Sequence, residues 1–123
     1  MTATVEAARA AILALVTRSR GTSFVDVEHE LDRLGYPYVG DYDVALPGNV
    51  VIWAGWTQDA AELVNDLLRA RRVHLNATSP LTYVIDGKLL NLPIAKRPPA
   101  RGYKTARWAP CTLEAGPALE SEP

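Results

Sequence analysis

Five side chains that can carry a proton or bind a metal ion fall within seven residues: Asp26, Glu28, His29, Glu30 and Asp32. On a helix, Asp26, His29 and Asp32 share one face at a spacing of three residues, which suits weak binding of a divalent metal ion. Neighbouring carboxylates are also the groups that general acid–base catalysis uses. A solvated acidic helix face explains the same pattern without any ligand, and we favour that interpretation. We therefore predict neither a metal site nor a catalytic site here.

The strongest chemical pattern is a basic segment in the second half of the chain. Its nine cations are Arg69, Arg71, Arg72, Lys88, Lys96, Arg97, Arg101, Lys104 and Arg107, and with the single acid Asp86 they give residues 69–107 a net charge of +8. Residues 1–68 carry four arginines against ten acids, a net charge of −6, and residues 108–123 carry −3. This asymmetry indicates either a polyanionic partner or pairing with the protein's own acidic half. Arginines on an extended arm suit phosphate contact, so we predict that these nine cations bind DNA.

Aromatic side chains stand beside the last of these cations. Tyr103, Lys104, Arg107 and Trp108 interleave rings with positive charges, a pattern that can stack single-stranded bases. A tryptophan is more often buried, because its large apolar surface stabilises a core. We therefore predict that Trp108 anchors the edge of the core and that Tyr103 packs on the surface.

Two further tryptophans, Trp53 and Trp56, stand three residues apart around Gly55. They can line a ligand pocket, but the commoner arrangement is one tryptophan in the core and one half exposed, and we predict that arrangement. Cys111 is the single cysteine, so an intramolecular disulfide is excluded. It has no basic or histidine neighbours in the sequence that would make it a nucleophile.

Composition and motifs restrict the class of protein. Apolar residues make up 48% of the chain and charged residues 22%, which is typical of a globular domain. No apolar run approaches the roughly 18 residues that span a bilayer, and no secretory signal is recognisable, so we predict a cytoplasmic protein without membrane contact. The sequence contains no phosphate-binding glycine loop, HExxH motif or CxxC pair, so we predict neither an enzyme nor a bound cofactor.

Three amphipathic helices are predicted, over residues 5–20, 24–34 and 58 to about 71. Thr4 and Thr57 are placed as N-caps of the first and third helices, and Ser23 with Asp26 has the spacing of a capping box at the second. Gly21 and Gly35 follow the first two helices and are expected to end them. Residues 36–49 are predicted to be a connection rich in turn residues.

Strands are predicted at 50–53, ending before Gly55, at 73–77, and at 107–113, where Pro110 restricts the strand to an edge. Asp86-Gly87 separates the runs 81–85 and 88–92, which predicts a β-hairpin with a type I′ turn. In that register one face carries Leu81, Tyr83, Leu90 and Leu92, the expected core face, and the other carries Thr82, Val84, Leu89 and Asn91. Residues 114–123 are predicted to form a disordered tail.

Helix, helix, strand, helix and hairpin is an element order that resembles the winged helix-turn-helix family. The resemblance rests on the third helix and on the wing-like hairpin, and it predicts an α+β, winged-helix-like single domain over residues 1–113, with a basic Pro-rich arm at 96–107. It implies DNA binding, with the third helix in the major groove and the wing on the backbone or in the minor groove. The third helix instead places Asp59, Glu62 and Asp66 near its N-terminal half, where carboxylates repel phosphate. The predicted contact therefore moves to the nine cations of the basic segment.

Two functions are thus expected from the sequence, of different kinds. The first is a DNA-binding protein, such as a transcription regulator or an accessory factor of a phage or mobile element. The alternative is a protein-interaction or dimerisation module without nucleic-acid binding, because Val84 and Leu89 share the second face of the predicted hairpin and an apolar pair there needs a cover. The chain's own last strand, a second copy in a homodimer or another protein would provide that cover.

Overall fold

The structure, a computed structural model, describes residues 3–95 and 102–118 and has a mixed α+β fold. Its helices are α1 (Val5–Arg18), α2 (Phe24–Arg33), α3 (Gln58–Arg69) and the single turn α4 (Leu81–Val84). Its strands are β1 (Val39–Leu46), β2 (Val50–Trp56), β3 (Val73–Ala77), β4 (Arg107–Trp108) and β5 (Cys111–Ala115). The three long helices begin where they were predicted and end one or two residues earlier.

The predicted N-caps are confirmed. The Thr4 hydroxyl accepts a hydrogen bond from the Ala7 N–H at 3.1 Å, and the Thr57 hydroxyl accepts one from the Ala60 N–H at 3.1 Å. Ser23 and Asp26 form both bonds of a capping box, each at 3.0 Å. These bonds satisfy N–H groups that have no partner within the helix, so they fix where each helix starts.

The strands of the described residues form two small sheets. In the first, β2 lies between β1, its antiparallel neighbour, and β4, its parallel neighbour. In the second, β3 and β5 are antiparallel in the register Val73↔Ala115 to Ala77↔Cys111. An antiparallel bridge from Thr22 to Leu113 adds the residues before α2 to the open side of β5. The residues between α1 and α2 are therefore tied to β5.

Three sequence predictions about strands are wrong. Residues 39–46 form β1 rather than a connection; Tyr42, Val44 and Leu46 alternate with polar or small residues as in a strand, although Val44 is the only buried residue of β1. The second strand passes through Gly55 to Trp56, because a shifted register with β1 accommodates Gly55 at φ +84°. The last predicted strand is divided at Ala109-Pro110 into β4 and β5, and β5 runs through Ala115, into the predicted tail.

The predicted β-hairpin at Asp86-Gly87 is also wrong. Residues 81–84 are helical, and the Gly87 and Lys88 N–H groups donate to the carbonyl oxygens of Val84 (2.9 Å) and Tyr83 (3.2 Å). This pair of bonds is that of a Schellman motif, in which Gly87 at φ +72° closes a helical turn. A positive-φ glycine suits a helix end as well as a hairpin, so the dipeptide alone does not decide between them.

The core is aromatic where the first sheet meets α2 and α4. Ring centroids lie 4.8 Å apart for Trp53 and Tyr83, 5.6 Å for Tyr83 and Trp108, and 5.7 Å for Phe24 and Trp56. Trp53 and Trp56 are both buried, so the prediction that one is half exposed is wrong. The prediction that Trp108 is a buried anchor is confirmed, and its indole N–H donates to the Ile52 carbonyl oxygen at 3.2 Å. Of the predicted core face, Tyr83 is buried but Leu81 is 68% exposed.

Candidate functional site

The end of α3 and the segment after Gly102 both approach the turn between β1 and β2. Because α3 starts one residue after β2 and packs along β1, its last residues come back to this turn. On one side of the turn, Leu46 and Arg71 line the same surface groove. On the other side the Gly48 carbonyl oxygen accepts from the Tyr103 N–H, and that of Asn49 accepts from the Arg107 N–H, both at 2.9 Å. Arg71, Tyr103 and Arg107 thus lie close to this turn, although they are distant from it in the sequence.

Two of the nine predicted DNA-binding cations pair with carboxylates of the first half of the chain. Arg69 contacts Asp66 at 2.6 Å and Glu62 at 3.3 Å, and these hydrogen bonds, chiefly that to Asp66, raise the pKa of Arg69. Lys88 pairs with Glu28. The structure therefore supports the open alternative of internal pairing for Arg69 and Lys88.

Four described cations of the set remain: Arg71, Arg72, Lys104 and Arg107. Arg71, Arg72 and Lys104 are exposed, and within residues 3–95 and 102–118 none of them forms an ion pair. Arg107 is half buried and its guanidinium lies 5.0 Å from the centroid of the Tyr103 ring. Its Nε has no hydrogen-bond partner among the described residues.

Three predicted DNA-binding residues, Lys96, Arg97 and Arg101, lie outside the described residues. They belong to the six-residue segment between Ala95 and Gly102. The Ala95 N–H donates to the Trp108 carbonyl oxygen at 2.8 Å. The segment therefore leaves the described structure beside β4 and rejoins it beside the β1–β2 turn.

The predicted partner-binding residues Val84 and Leu89 are exposed, by 47% and 56%. Leu81 and Ile85, at 68% and 87%, are more exposed still. Four large apolar side chains within nine residues thus face solvent, and we call these residues the apolar segment. The prediction that Leu81 lies in the core is wrong, because it rests on the periodicity of a strand and residues 81–84 form the helical turn α4.

The acidic stretch of α2 is divided between solvent and core. Asp26, His29 and Asp32 are exposed, and no group of three metal-binding side chains comes together in the described residues. Glu28 and Glu30 are buried, so a wholly solvated acidic face was a wrong prediction for both.

Two tryptophans and a lysine surround the carboxylate of Glu28. Its Oε2 accepts from the indole N–H groups of Trp53 at 2.9 Å and Trp56 at 2.8 Å, while Oε1 pairs with the Lys88 ammonium. A cavity of about 370 Å³ lies beside this group, between Tyr38, Val39, Trp53, Lys88 and Leu89. The sequence contained one signal for the burial of Glu28. This residue follows Phe24 by four positions and precedes Leu31 by three, which places it on the inward face of the helix.

Comparison of the chain with family models, with curated proteins and with solved structures gave no significant match. Among the described helices, none is both long and apolar enough to cross a membrane.

Proposed function

We propose that the protein binds duplex DNA through Arg71, Arg72, Lys104 and Arg107, which we call the basic end. The observation that carries this proposal is the convergence of the end of α3 and of residues 102–107 on one turn, with Arg71, Arg72 and Lys104 exposed. Cations that are open to solvent favour phosphate contact, which dominates the affinity of DNA-binding proteins.

The backbone of Arg71 supports a role for its charge. Arg71 has φ +58°, and the N–H groups of Arg71 and Arg72 donate to Leu68 and Leu67 in a Schellman motif. Glycine is the favoured residue at that position, and α2 ends on Gly35 at φ +70° in the same motif. A non-glycine residue there costs about 1 kcal/mol. An arginine at a position where it carries this cost is a candidate for function.

The order of elements adds support at the level of the fold. Helices α1, α2 and α3 come before the antiparallel pair β3 and β5 in the sequence, just as the helices of a winged helix come before its last strands. The exposed acids of α3 make its first turns a poor contact for phosphate. We therefore assign the DNA contact to the basic end rather than to a recognition helix in the major groove.

The variant Arg71→Gly tests the proposal, because it removes a cation and relieves the positive-φ strain together. We expect weaker binding to a short fluorescein-labelled duplex, about eightfold at 0.1 M salt, and a salt dependence that is smaller by about one unit of slope. We expect the thermal stability to be unchanged or higher, because glycine accepts this conformation. Fluorescence polarisation over a salt series measures the first effect, and thermal unfolding the second.

Arg33→Gln is the matched control. It changes the net charge equally, but Arg33 closes α2 beside Glu30, away from the basic end. We expect its DNA affinity to equal that of the wild type. Binding that does not depend on salt, or equal losses in both variants, would contradict the proposal.

A second candidate function is supported by the apolar segment. Its residues Leu81, Val84, Ile85 and Leu89 expose an apolar surface of the kind that marks a protein contact. This function is a contact with a second copy of the chain, and it is compatible with DNA binding because the basic end uses other residues.

A further inference from the structure

We propose that the cavity beside Glu28 is a binding site for a primary alkylammonium group, and that Lys88 occupies this site when no ligand is present. The site is independent of the basic end and of DNA binding. Its elements are one oriented carboxylate, an open cavity and an internal cation that a ligand can replace.

The carboxylate is buried and held in one orientation. The side chain of Glu28 is only 5% exposed, and two indole N–H groups bind the same oxygen, Oε2. A charge removed from water is costly unless it is paired and hydrogen-bonded. The second oxygen, Oε1, therefore needs a cation from the cavity side.

The cation that pairs with Oε1 comes from a part of the chain that is neither helix nor strand. Lys88 follows the Schellman motif of α4, and from residue 88 to residue 93 the chain has neither helix nor strand. Its side chain is 49% exposed, so it reaches the carboxylate from the rim. A group tethered in this way competes with a free ligand and does not seal the site.

The geometry selects an ammonium over other cations. A guanidinium binds a carboxylate best through both oxygens, and Oε2 is already used by two donors. A divalent metal ion needs more oxygen ligands, and the described residues offer no cluster of three metal-binding side chains. A primary ammonium is compact and pairs with one oxygen. Val39 and Leu89, 76% and 56% exposed, border the cavity and can cover the alkyl part of the ligand.

The probe for this site is n-butylammonium chloride, followed in proton–nitrogen correlation spectra of the labelled protein. We expect saturable shifts of the indole N–H signals of Trp53 and Trp56 in the wild type. In Lys88→Ala the same shifts should occur with roughly tenfold tighter binding, because the internal competitor is gone. The indole of Trp108 donates to a backbone carbonyl elsewhere and should not move, so it reports whether the variant is folded.

Three controls make the outcome decisive. The neutral analogue n-butanol and the bulky tetramethylammonium ion should give no saturable shift, and Glu28→Gln combined with Lys88→Ala should abolish the response. Nα-acetyl-lysine amide then separates two sources of the ligand: binding assigns the site to a lysine side chain of a partner, and no binding assigns it to a free amine. A wild-type protein that shows no response to n-butylammonium overturns the proposal, as does a double variant that responds like Lys88→Ala.

Discussion

Tyr83 links three elements through its hydroxyl group. The hydroxyl donates to the Cys111 carbonyl oxygen at 2.6 Å and accepts from the Phe24 N–H at 3.1 Å, so it joins α4 to β5 and to the start of α2. Burial is the main cause that raises the pKa of Tyr83. The phenol therefore stays neutral and donates at any physiological pH. The two hydrogen bonds of this buried hydroxyl specify how α4, β5 and α2 pack against one another.

Glu30 gives a stability that depends on pH. Its buried carboxylate accepts from Arg33, and this hydrogen bond is the main reason why the pKa of Glu30 lies below its ordinary value. A depressed pKa stabilises the folded state above the unfolded-state pKa of about 4.3, and this stability is lost as the pH falls through the folded-state value.

We predict that Glu30→Gln lowers the free energy of unfolding at neutral pH by about 1 kcal/mol, a modest loss because Arg33 is open to solvent. The difference from the wild type should shrink as the pH falls below about 4. Urea unfolding at several pH values measures it. Asp32→Asn, at an exposed position of the same helix, is the control and should unfold like the wild type at every pH. A difference that stayed constant down to acid pH would show that Glu30 acts through packing alone.

The sequence predicts caps at this scale but not buried charges. Thr4, Ser23 and Thr57 are recognisable because a cap is a local hydrogen bond between residues three apart. The environment of Glu28 depends on Trp53, Trp56 and Lys88, which the fold brings from 25 to 60 residues away. No local pattern contains those distances. The carboxylate could be placed on the inward stripe of α2, but its partners could not be named.

At the scale of elements, the long helices were predictable, whereas strand β1 and the helical turn α4 were not. A helical stripe repeats over three turns and is flanked by caps, whereas β1 shows one buried residue and is held by its hydrogen bonds to β2. The segment after Pro80 has a sequence that is compatible with a hairpin, and burial of Tyr83 between Trp53 and Trp108 favours the helical turn instead. Tertiary contacts decided both cases.

The contact between Gly48 and Gly102 fastens the β1–β2 turn to the segment after residue 101. Both glycines have positive φ, and a Cβ on Gly48 would lie 2.9 Å from the Gly102 Cα. Backbone approaches backbone there, so neither side can yield by rotating a side chain.

We predict that Gly102→Ala lowers the free energy of unfolding by about 2–3 kcal/mol, through positive-φ strain and through separation of the two segments. Gly116→Ala is the matched control: Gly116 has φ +83°, close to the +77° of Gly102, but a Cβ there meets no atom within 4 Å. It should lose only about 1 kcal/mol. Denaturant unfolding of both variants measures the difference, and equal losses would mean that the close approach has no energetic weight.

For the whole molecule, the charge asymmetry of the sequence becomes partly internal. Arg9 of α1 contacts Asp66 of α3 at 3.1 Å, and Arg69 contacts the same aspartate, so some charges link helices rather than face a partner. Net charge per segment is a property of the sequence and was predictable. Which cations pair inside the protein depends on how α3 packs along β1, and this packing depends on the whole fold. Of the described cations in residues 69–107, Arg71, Arg72 and Lys104 remain exposed after this pairing.

The apolar segment makes a prediction about assembly. Its four exposed apolar side chains can be covered symmetrically by the same residues of a second copy, and twofold dimers are the commonest oligomers. We expect size-exclusion chromatography with light scattering to detect a dimer that dissociates on dilution. We expect Ile85→Asp to shift this dimer to the monomer, because a charge in the centre of an apolar contact is not solvated.

The control for this prediction is Val5→Asp, at a residue of α1 that is 44% exposed, and it should leave the dimer intact. A wild-type protein that is monomeric at every concentration, or a dimer that Ile85→Asp leaves unchanged, rules out self-association through the apolar segment. In either case the basic end is unaffected, since its cations lie in other parts of the chain, so DNA binding and assembly can be measured separately on the same variants.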